Sequence, residues 1–341
     1  MTEPAPGGAR GPAEGAAPAL DALDRRLLNL VQSEFPLVPQ PFAALGEKLG
    51  VAESEVIERL RAARDSGVLR SLSAIFDAYR VGYRSTLVCL SVPEERLEGA
   101  AAAVSAHPGV SHNYGREHEY NLWFVLALPR ERDLEAEVAD LARRTGATKY
   151  HLLPNLKLYK IGVEYDVEEG ENRAQRPRRP GGPRRELTEG DMALVRVLQE
   201  ELPLEGRPFA QPARDVGMTE DALLSRAAAL QEEGIMRRFA AVIRHRIAGF
   251  AANGMTCWIV PEEGIDEIGY RFAAYPQVSH CYRRPTYDDW PYAIFTMIHA
   301  MTREKCEETV RKMAAEIGIG TYTVLYSHTE YKKERVKYYA Q

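Results

Sequence analysis

Leu, Val and Ile recur every three or four residues through "LDALDRRLLNLVQSEFP" (20–36), "PFAALGEKLG" (41–50) and "AESEVIERLRAARDSGVL" (52–69), with short turns between them. That spacing marks amphipathic helices, so these segments predict three short ones. The pattern then changes. "STLVCLSV" (85–92) and "YNLWFVLAL" (120–128) are apolar runs rich in β-branched and aromatic residues and predict strands, while "EERLEGAAAAVSAHP" (94–108) and "RDLEAEVADLARRTG" (132–146) return to the helical period. The same succession follows again: helical "LTEGDMALVRVLQEELP", "PFAQPARDVG" and "TEDALLSRAAALQEEGIM", then strand, helix, strand and helix in "GMTCWIV", "EGIDEIGYRFAAYP", "PYAIFTMIHA" and "TREKCEETVRKMAAEIG". Ser54 and Thr219 stand where helix N-caps belong, each with acidic residues in the turn that follows.

The recurrence extends to individual residues. "GVLRSLSAIFDAYRVGY" (67–83) returns as "GIMRRFAAVIRHRIAGF" (234–250), "LSVPEE" (90–95) as "WIVPEE" (258–263), and "HPGVSHNYGRE" (107–117) as "YPQVSHCYRRP" (275–285). "TKYHLLPNLKLYKIG" (148–162) answers "YTVLYSHTEYKKERV" (322–336). Four collinear matches make the chain an internal duplication. Each copy reads as three helices of winged helix-turn-helix type, followed by the βαββαβ order of a ferredoxin-like domain. The fold class expected is therefore α+β, with two tandem copies of this pair of domains. The boundaries expected are a disordered tail at 1–20, helix-turn-helix domains at 21–70 and 187–237, ferredoxin-like domains at 71–167 and 238–341, and a linker at 168–186. The linker, "EEGENRAQRPRRPGGPRRE", is rich in Arg, Pro and Gly and nearly free of apolar side chains, and reads as a flexible solvated tether.

A helix-turn-helix joined to a ferredoxin-like domain resembles the feast/famine (Lrp/AsnC-type) transcription regulators, which makes DNA binding the first function to test. The charges argue against it. The net charge is −5, and the N-terminal turns of the helices that would enter the groove carry Glu53, Glu55, Glu220 and Asp221. Carboxylates there repel phosphate. No run of about 18 apolar residues predicts a membrane span. Cys89, Cys257, Cys281 and Cys306 form no CxxC pair, and the N-terminal segment lacks the layout of a signal peptide. Reduced thiols in the cytoplasm are the expectation.

The chemistry concentrates in the ferredoxin-like halves. Copy two places Arg237, Arg238, Arg244, His245 and Arg246 around a short apolar strand, and "SHCYRR" adds His280, Tyr282, Arg283 and Arg284. Copy one has Asp77 and Ala78 where copy two has Arg244 and His245, but keeps the second cluster as His112, Tyr114, Arg116 and His118. Taken singly, these are surface arginines and satisfied core histidines. Taken as a set, several guanidinium forks suit a small polyanion, and His and Tyr beside them can give protons or ligate iron. Trp123, Trp258 and Trp290 can supply flat apolar walls or simply core.

"RRFAAVIRHR…GF", "VSHCYRRPTYDDWPYAIFTMIHA" and "VSHNYGREHEYNLWFVLALP" resemble the siroheme decarboxylases, relatives of the Lrp-type regulators. The resemblance covers about residues 20–165 and 185–335, and the chain looks like that family's two homologous subunits fused. It implies loss of the carboxyls of the C12 and C18 acetates of siroheme, giving 12,18-didecarboxysiroheme and CO2. No separate cofactor is implied, since the substrate carries its own iron. It further implies His245 and His280 as acid or axial iron ligand, Tyr282 and Tyr287 as secondary proton donors, and Arg237, Arg238, Arg244, Arg246 and Arg284 as holders of the other carboxylates. His112, Tyr114, Arg116, His118 and Trp123 would line the pocket from copy one. Copy one lacks a counterpart of His245, so one productive pocket per chain is expected, within an internal pseudo-dimer that can itself pair into a homodimer. A DNA-binding regulator and a heme-sensing protein are the alternatives.

Overall fold

The computed structural model describes residues 20–33, 35–161, 163–166, 171–174, 185–243, 252–300 and 302–340. In copy one, α1 (Ala22–Ser33), α2 (Pro41–Leu49) and α3 (Glu53–Asp65) lead into β1 (Leu69–Phe76). Then follow β2 (Tyr83–Ser91), α4 (Leu97–Ser105), β3 (Val110–Arg116), β4 (Leu122–Pro129), α5 (Leu134–Thr145), β5 (Lys149–Pro154) and β6 (Lys157–Lys160). A hairpin of β7 (Val163–Asp166) and β8 (Glu171–Ala174) precedes copy two. Copy two comprises α6 (Glu189–Leu198), α7 (Ala210–Asp215), α8 (Glu220–Glu232) and β9 (Met236–Ile243), then β10 (Ala252–Trp258), α9 (Ile265–Ala273), β11 (Val278–Arg283), β12 (Ile294–Ala300), α10 (Arg303–Ile317) and β13 (Tyr322–Lys333). The βαββαβ order expected of each copy is thus present twice.

Pairing between the copies departs from a plain tandem. The first strands, β1 and β9, which the sequence placed in the ferredoxin-like halves, pair antiparallel with each other as a separate ribbon, with Ser73 opposite Ala240. The ribbon closes one core with both sets of helices, where Leu28, Val31, Leu45, Val56 and Leu60 of copy one join Leu194, Val195, Leu223, Leu230 and Phe239 of copy two. The remaining strands form one nine-stranded sheet in the order β5-β2-β4-β3-β13-β10-β12-β11-β6. Each copy's last strand changes partner halfway along. Residues 322–326 of β13 pair with β10 and residues 327–333 with β3. Symmetrically, β5 pairs with β2 while β6, just beyond it, pairs with β11. The copies therefore form a pseudo-dimer within one chain, interlocked by exchanged strands. Helices α4 and α5 cover the outer face of one half of the sheet, and α9 and α10 cover the other. A further core, built on Cys89, Tyr120, Trp123, Leu153, Met255, Cys257, Trp290, Phe295 and Leu325, fills the space between the halves.

Two expectations are corrected locally. Ser54 lies inside α3, whose N-cap is Ala52, whereas Thr219 does cap α8 by accepting from the Ala222 N–H at 3.2 Å. Part of the expected tether, Glu171–Ala174, is β8, since a two-stranded ladder can satisfy its backbone without a core. The remainder of 168–184 and the tail at 1–19 lie outside the described residues. The four cysteines are all free and buried. Among the described residues, no helix is long and apolar enough to cross a membrane.

The basic residues of α3 are engaged within the protein. Arg59 binds Asp21 and Asp24 at 2.8 Å and Glu55 at 2.9 Å. Arg61 donates to the Leu204 carbonyl at 2.7 Å, and Arg64 donates to the Leu202 carbonyl at 3.3 Å and pairs with Glu201. On α8, Arg226 is committed to the buried carboxylate of Asp191 at 2.6 Å. The Arg61 and Arg64 contacts fasten the first helical domain to the second.

Candidate active site

The two "VSH" segments lie on β3 and β11. Along each strand, alternation places His112, Tyr114 and Arg116, or His280, Tyr282 and Arg284 just beyond the strand, on the face turned away from the covering helices. The opposite face supports this assignment. Asn113 donates to the Ala101 carbonyl of α4 at 3.0 Å, and the Cys281 thiol meets the Gly269 carbonyl of α9 at 3.5 Å. In both copies the serine before the histidine holds the ring, with Ser111 Oγ 2.9 Å from His112 Nδ1 and Ser279 Oγ 2.9 Å from His280 Nδ1. Copy two adds His299, whose Nε2 lies 2.7 Å from the same Ser279 Oγ, so two imidazoles share one hydroxyl.

The two arginines occupy corresponding positions in the two clusters. Arg116 is 6% exposed and donates to the Leu325 carbonyl of the other copy at 2.8 Å. Arg284 reciprocates by donating to the Leu153 carbonyl of copy one. Both guanidiniums lie over aromatic rings, Arg116 at 5.6 Å from Tyr114 and 5.9 Å from Trp123, and Arg284 at 4.9 Å from Tyr282 and 5.4 Å from Phe295. Neither has a carboxylate partner among the described residues, and each leaves its Nε buried without a hydrogen-bond acceptor. Burial lowers both to about 10, so each remains a cation at neutral pH. A desolvated guanidinium whose partners among the described residues are a carbonyl and ring faces retains N–H groups to offer an anion. Burial also raises the Tyr282 hydroxyl, against the opposing pull of Arg284 and Arg237, so it stays protonated.

Cations gather above copy one's cluster as well. Burial, followed by the positive charges of Lys333 and Arg70, lowers His112 from 6.5 to about 4. Arg335 is lowered to about 10 by burial and by Arg70 and Arg238, and donates to Ser73 Oγ at 2.7 Å. The sign for His112 is that of a depressed base. Its neutral ring suits the fold above pH 6.5, and stability falls as pH drops from 6.5 towards about 4, where the unfolded chain takes up a proton that the folded chain refuses. Complete loss amounts to ~3 kcal/mol at about 1.4 kcal/mol per unit. An NMR titration of the imidazole resonances, assigned through His112→Gln, is expected to show no His112 inflection above about pH 5. A midpoint near 6.5 would contradict this.

The structure gathers some of the expected site residues and separates others. His280, Tyr282 and Arg284 form one cluster, and His112, Tyr114 and Arg116 its pseudo-symmetric counterpart. Arg237 is bound to Asp77 at 2.9 Å, so copy one's Asp77, which stands at the position of Arg244, neutralises a cation expected to be open to ligand. Arg238 lies opposite Ile75 on the ribbon and adds to the charge on Arg335. Arg244, His245 and Arg246 lie outside the described residues. Trp123 is core: it is fully buried and donates its indole N–H to the Tyr120 carbonyl at 2.6 Å, supporting Arg116 from behind. His118 accepts from the Tyr120 N–H at 3.0 Å and packs its ring edge-to-face with Trp290. Tyr287 stacks on His151 at 4.1 Å and donates to the Leu152 carbonyl, which places it in a contact between the copies. There His151 Nε2 lies 2.7 Å from the Tyr120 hydroxyl and 2.8 Å from Asp289. Sequence reading missed Arg70, Lys333, Arg335 and His299. The repeated Ser-His dipeptide was the one signal that pointed toward the serine-held imidazoles.

Comparison with known proteins agrees with this division. A family model described as an AsnC-like ligand binding domain matches residues 80–160 and 247–332, and one described as a siroheme decarboxylase NirDL-like HTH domain matches 24–70 and 191–237. The siroheme decarboxylase of Hydrogenobacter thermophilus is 36% identical over 93% of this chain and 95% of its own length. The siroheme decarboxylase alpha subunit of Nitratidesulfovibrio vulgaris is 42% identical over 47% of this chain and 91% of its own. A crystal structure of the siroheme decarboxylase NirDL in complex with an iron-uroporphyrin III analogue superposes with a TM-score of 0.74 at 33% identity, covering 93% of this chain and 95% of that one.

Proposed function

The chain belongs to the siroheme decarboxylase family, and from that premise we propose that copy two's His280, Tyr282 and Arg284 form the substrate site of a carboxy-lyase acting on siroheme. The observation that carries this assignment is Arg284, a half-buried cation with no carboxylate partner among the described residues, next to a protonated tyrosine and a serine-held histidine. Siroheme brings a flat ring edged with carboxylates, and a buried guanidinium is the group that binds such an edge in register.

The carboxyls lost are those of the C12 and C18 acetates, giving 12,18-didecarboxysiroheme. In each step the bond between the methylene carbon and the carboxyl breaks, CO2 leaves, and the electron pair stays on the methylene, delocalised into the macrocycle. One proton then converts that carbon to a methyl. No external oxidant or separate cofactor enters the balance. His280 and Tyr282 are the donors in reach of the same face, and Arg284 holds a carboxylate that is not leaving. His245, on the segment outside the described residues, is a second candidate acid or iron ligand. Copy two contributes the reacting groups, and copy one's Asp77 contacts Arg237 beside them.

Anaerobic incubation with siroheme tests this reading. A shifted Soret band followed by a product lighter by two carboxyls is the expected result, and absence of both overturns it. His280→Ala is expected to lower kcat by about 100-fold or more, within the range of a lost general acid. Retained binding in that variant marks a proton donor, and loss of the Soret shift marks an iron ligand. Full activity in both His280→Ala and Tyr282→Phe overturns the site. DNA binding is the lesser reading, because Arg59, Arg61 and Arg64 of α3 are spent on contacts within the chain.

A further inference from the structure

Each half-site is completed by the last strand of the other copy, and the two completing strands differ in chemistry. On β6, Leu158 stands opposite Tyr282, whereas on β13, Glu330 stands opposite Tyr114. Cross-strand partners share a face of the sheet. The neighbouring residues agree. Lys157 pairs with Asp266 at 2.7 Å, the Tyr159 hydroxyl bonds Asp266 at 2.6 Å, and a Cβ placed on Gly269 of α9 would lie 2.4 Å from the Tyr159 ring, so both flanking side chains lie on the helix side. Leu158 therefore projects to the face of Tyr282. In the other half the Tyr331 hydroxyl bonds Glu98 at 2.7 Å on the helix side, leaving Glu330 on the face of Tyr114, 3.6 Å from Lys333.

Leu158 is 38% exposed and its neighbour Leu156 is 56% exposed. Single leucines in water call for no explanation. These two stand beside the half-buried Tyr282 and Arg284, and Leu158 takes the register position where the duplicated half-site carries a carboxylate. A flat macrocycle with an ionised rim needs an apolar surface under its face and cations at its edge. Copy two's half-site has both. Copy one's half-site has the cations Arg116, Arg70 and Lys333, but a negative charge where the apolar surface would lie.

We propose that Leu158 is a specificity-determining residue on which the face of the tetrapyrrole rests in the copy-two site, and that Glu330 closes the copy-one site to the same polycarboxylate. This rests on the substrate site argued above. The test is anaerobic titration of the full-length chain with siroheme, read at the Soret band. Leu158→Glu is expected to weaken binding by about 30-fold or more, from lost apolar contact and an added like charge, with an unchanged thermal midpoint because the side chain is exposed. Leu158→Met is expected to bind as the native chain does. Glu330→Leu is expected to raise the stoichiometry from one siroheme per chain to two. Unaltered affinity in Leu158→Glu, with Arg284→Met impaired, overturns the role of Leu158 and leaves the substrate site standing. Unaltered affinity in both variants overturns the substrate site itself. A stoichiometry that stays at one in Glu330→Leu overturns the role given to Glu330.

Discussion

Arg284→Met is expected to lower kcat/KM for siroheme by about 100- to 1,000-fold while leaving the fold as stable as before or more so. The two effects share one cause. Truncating one partner of a buried, hydrogen-bonded charge pair costs ~2–5 kcal/mol, mostly from the carboxylate left without its cation. Without substrate, however, Arg284 has no carboxylate partner among the described residues and is held by the Leu153 carbonyl and two ring faces with its Nε unsatisfied. Replacing a poorly compensated buried ion by an apolar side chain of similar length is neutral or stabilising by ~1–4 kcal/mol. Steady-state kinetics and thermal melts on the same preparation decide the matter. Near-native activity with a lowered melting temperature would make Arg284 a strut between the copies and remove it from the site.

Trp290→Ala is expected to cost ~3–5 kcal/mol of stability, the range for deleting a fully buried aromatic side chain. Trp290 is completely buried, and its ring packs against His118, Tyr120 and Trp123 of copy one and against Tyr292 and Phe295 of its own copy. It comes from a hairpin that is longer than its counterpart, since β11 ends at Arg283 and β12 begins at Ile294, whereas β3 ends at Arg116 and β4 begins at Leu122. Trp290→Phe is expected to cost much less, because the indole N–H has no partner among the described residues and its removal relieves a buried unsatisfied donor. Chemical denaturation of the two variants tests the contrast. Equal losses would show that the Trp290 N–H is bonded in solution.

The repeat, the order of elements and the family were legible because each depends on residues near one another in the chain. Apolar spacing set the helices, β-branched runs set the strands, and "VSHCYRRP" against "VSHNYGRE" marked the duplicated clusters. That the copies pair as an internal pseudo-dimer was expected, but which strands they exchange was not legible. Nothing in "SLSAIF" or "RFAAVI" distinguishes a strand joining its own sheet from one pairing with its duplicate, because the periodicity is the same in both cases. The demotion of Trp123 and the diversion of Arg237 to Asp77 follow from the same limit. Local sequence reports that a residue has the right chemistry, while only the register reports what stands beside it. Leu158 is the converse case, an ordinary leucine in sequence whose position opposite Tyr282 gives it a role.

The exchanged strands also set the order in which the protein can be completed during synthesis. Among the described residues, one edge of β3 is covered by residues 327–333 of β13. The roughly 200 residues between them take about 10–40 s to make at ~5–20 residues per second. For that interval copy one carries an open strand edge beside its buried-to-be arginine, and an open edge invites pairing with another chain. Fusing two halves into one polypeptide therefore places the correct partner for that edge on the same ribosome, within the second copy of the duplication.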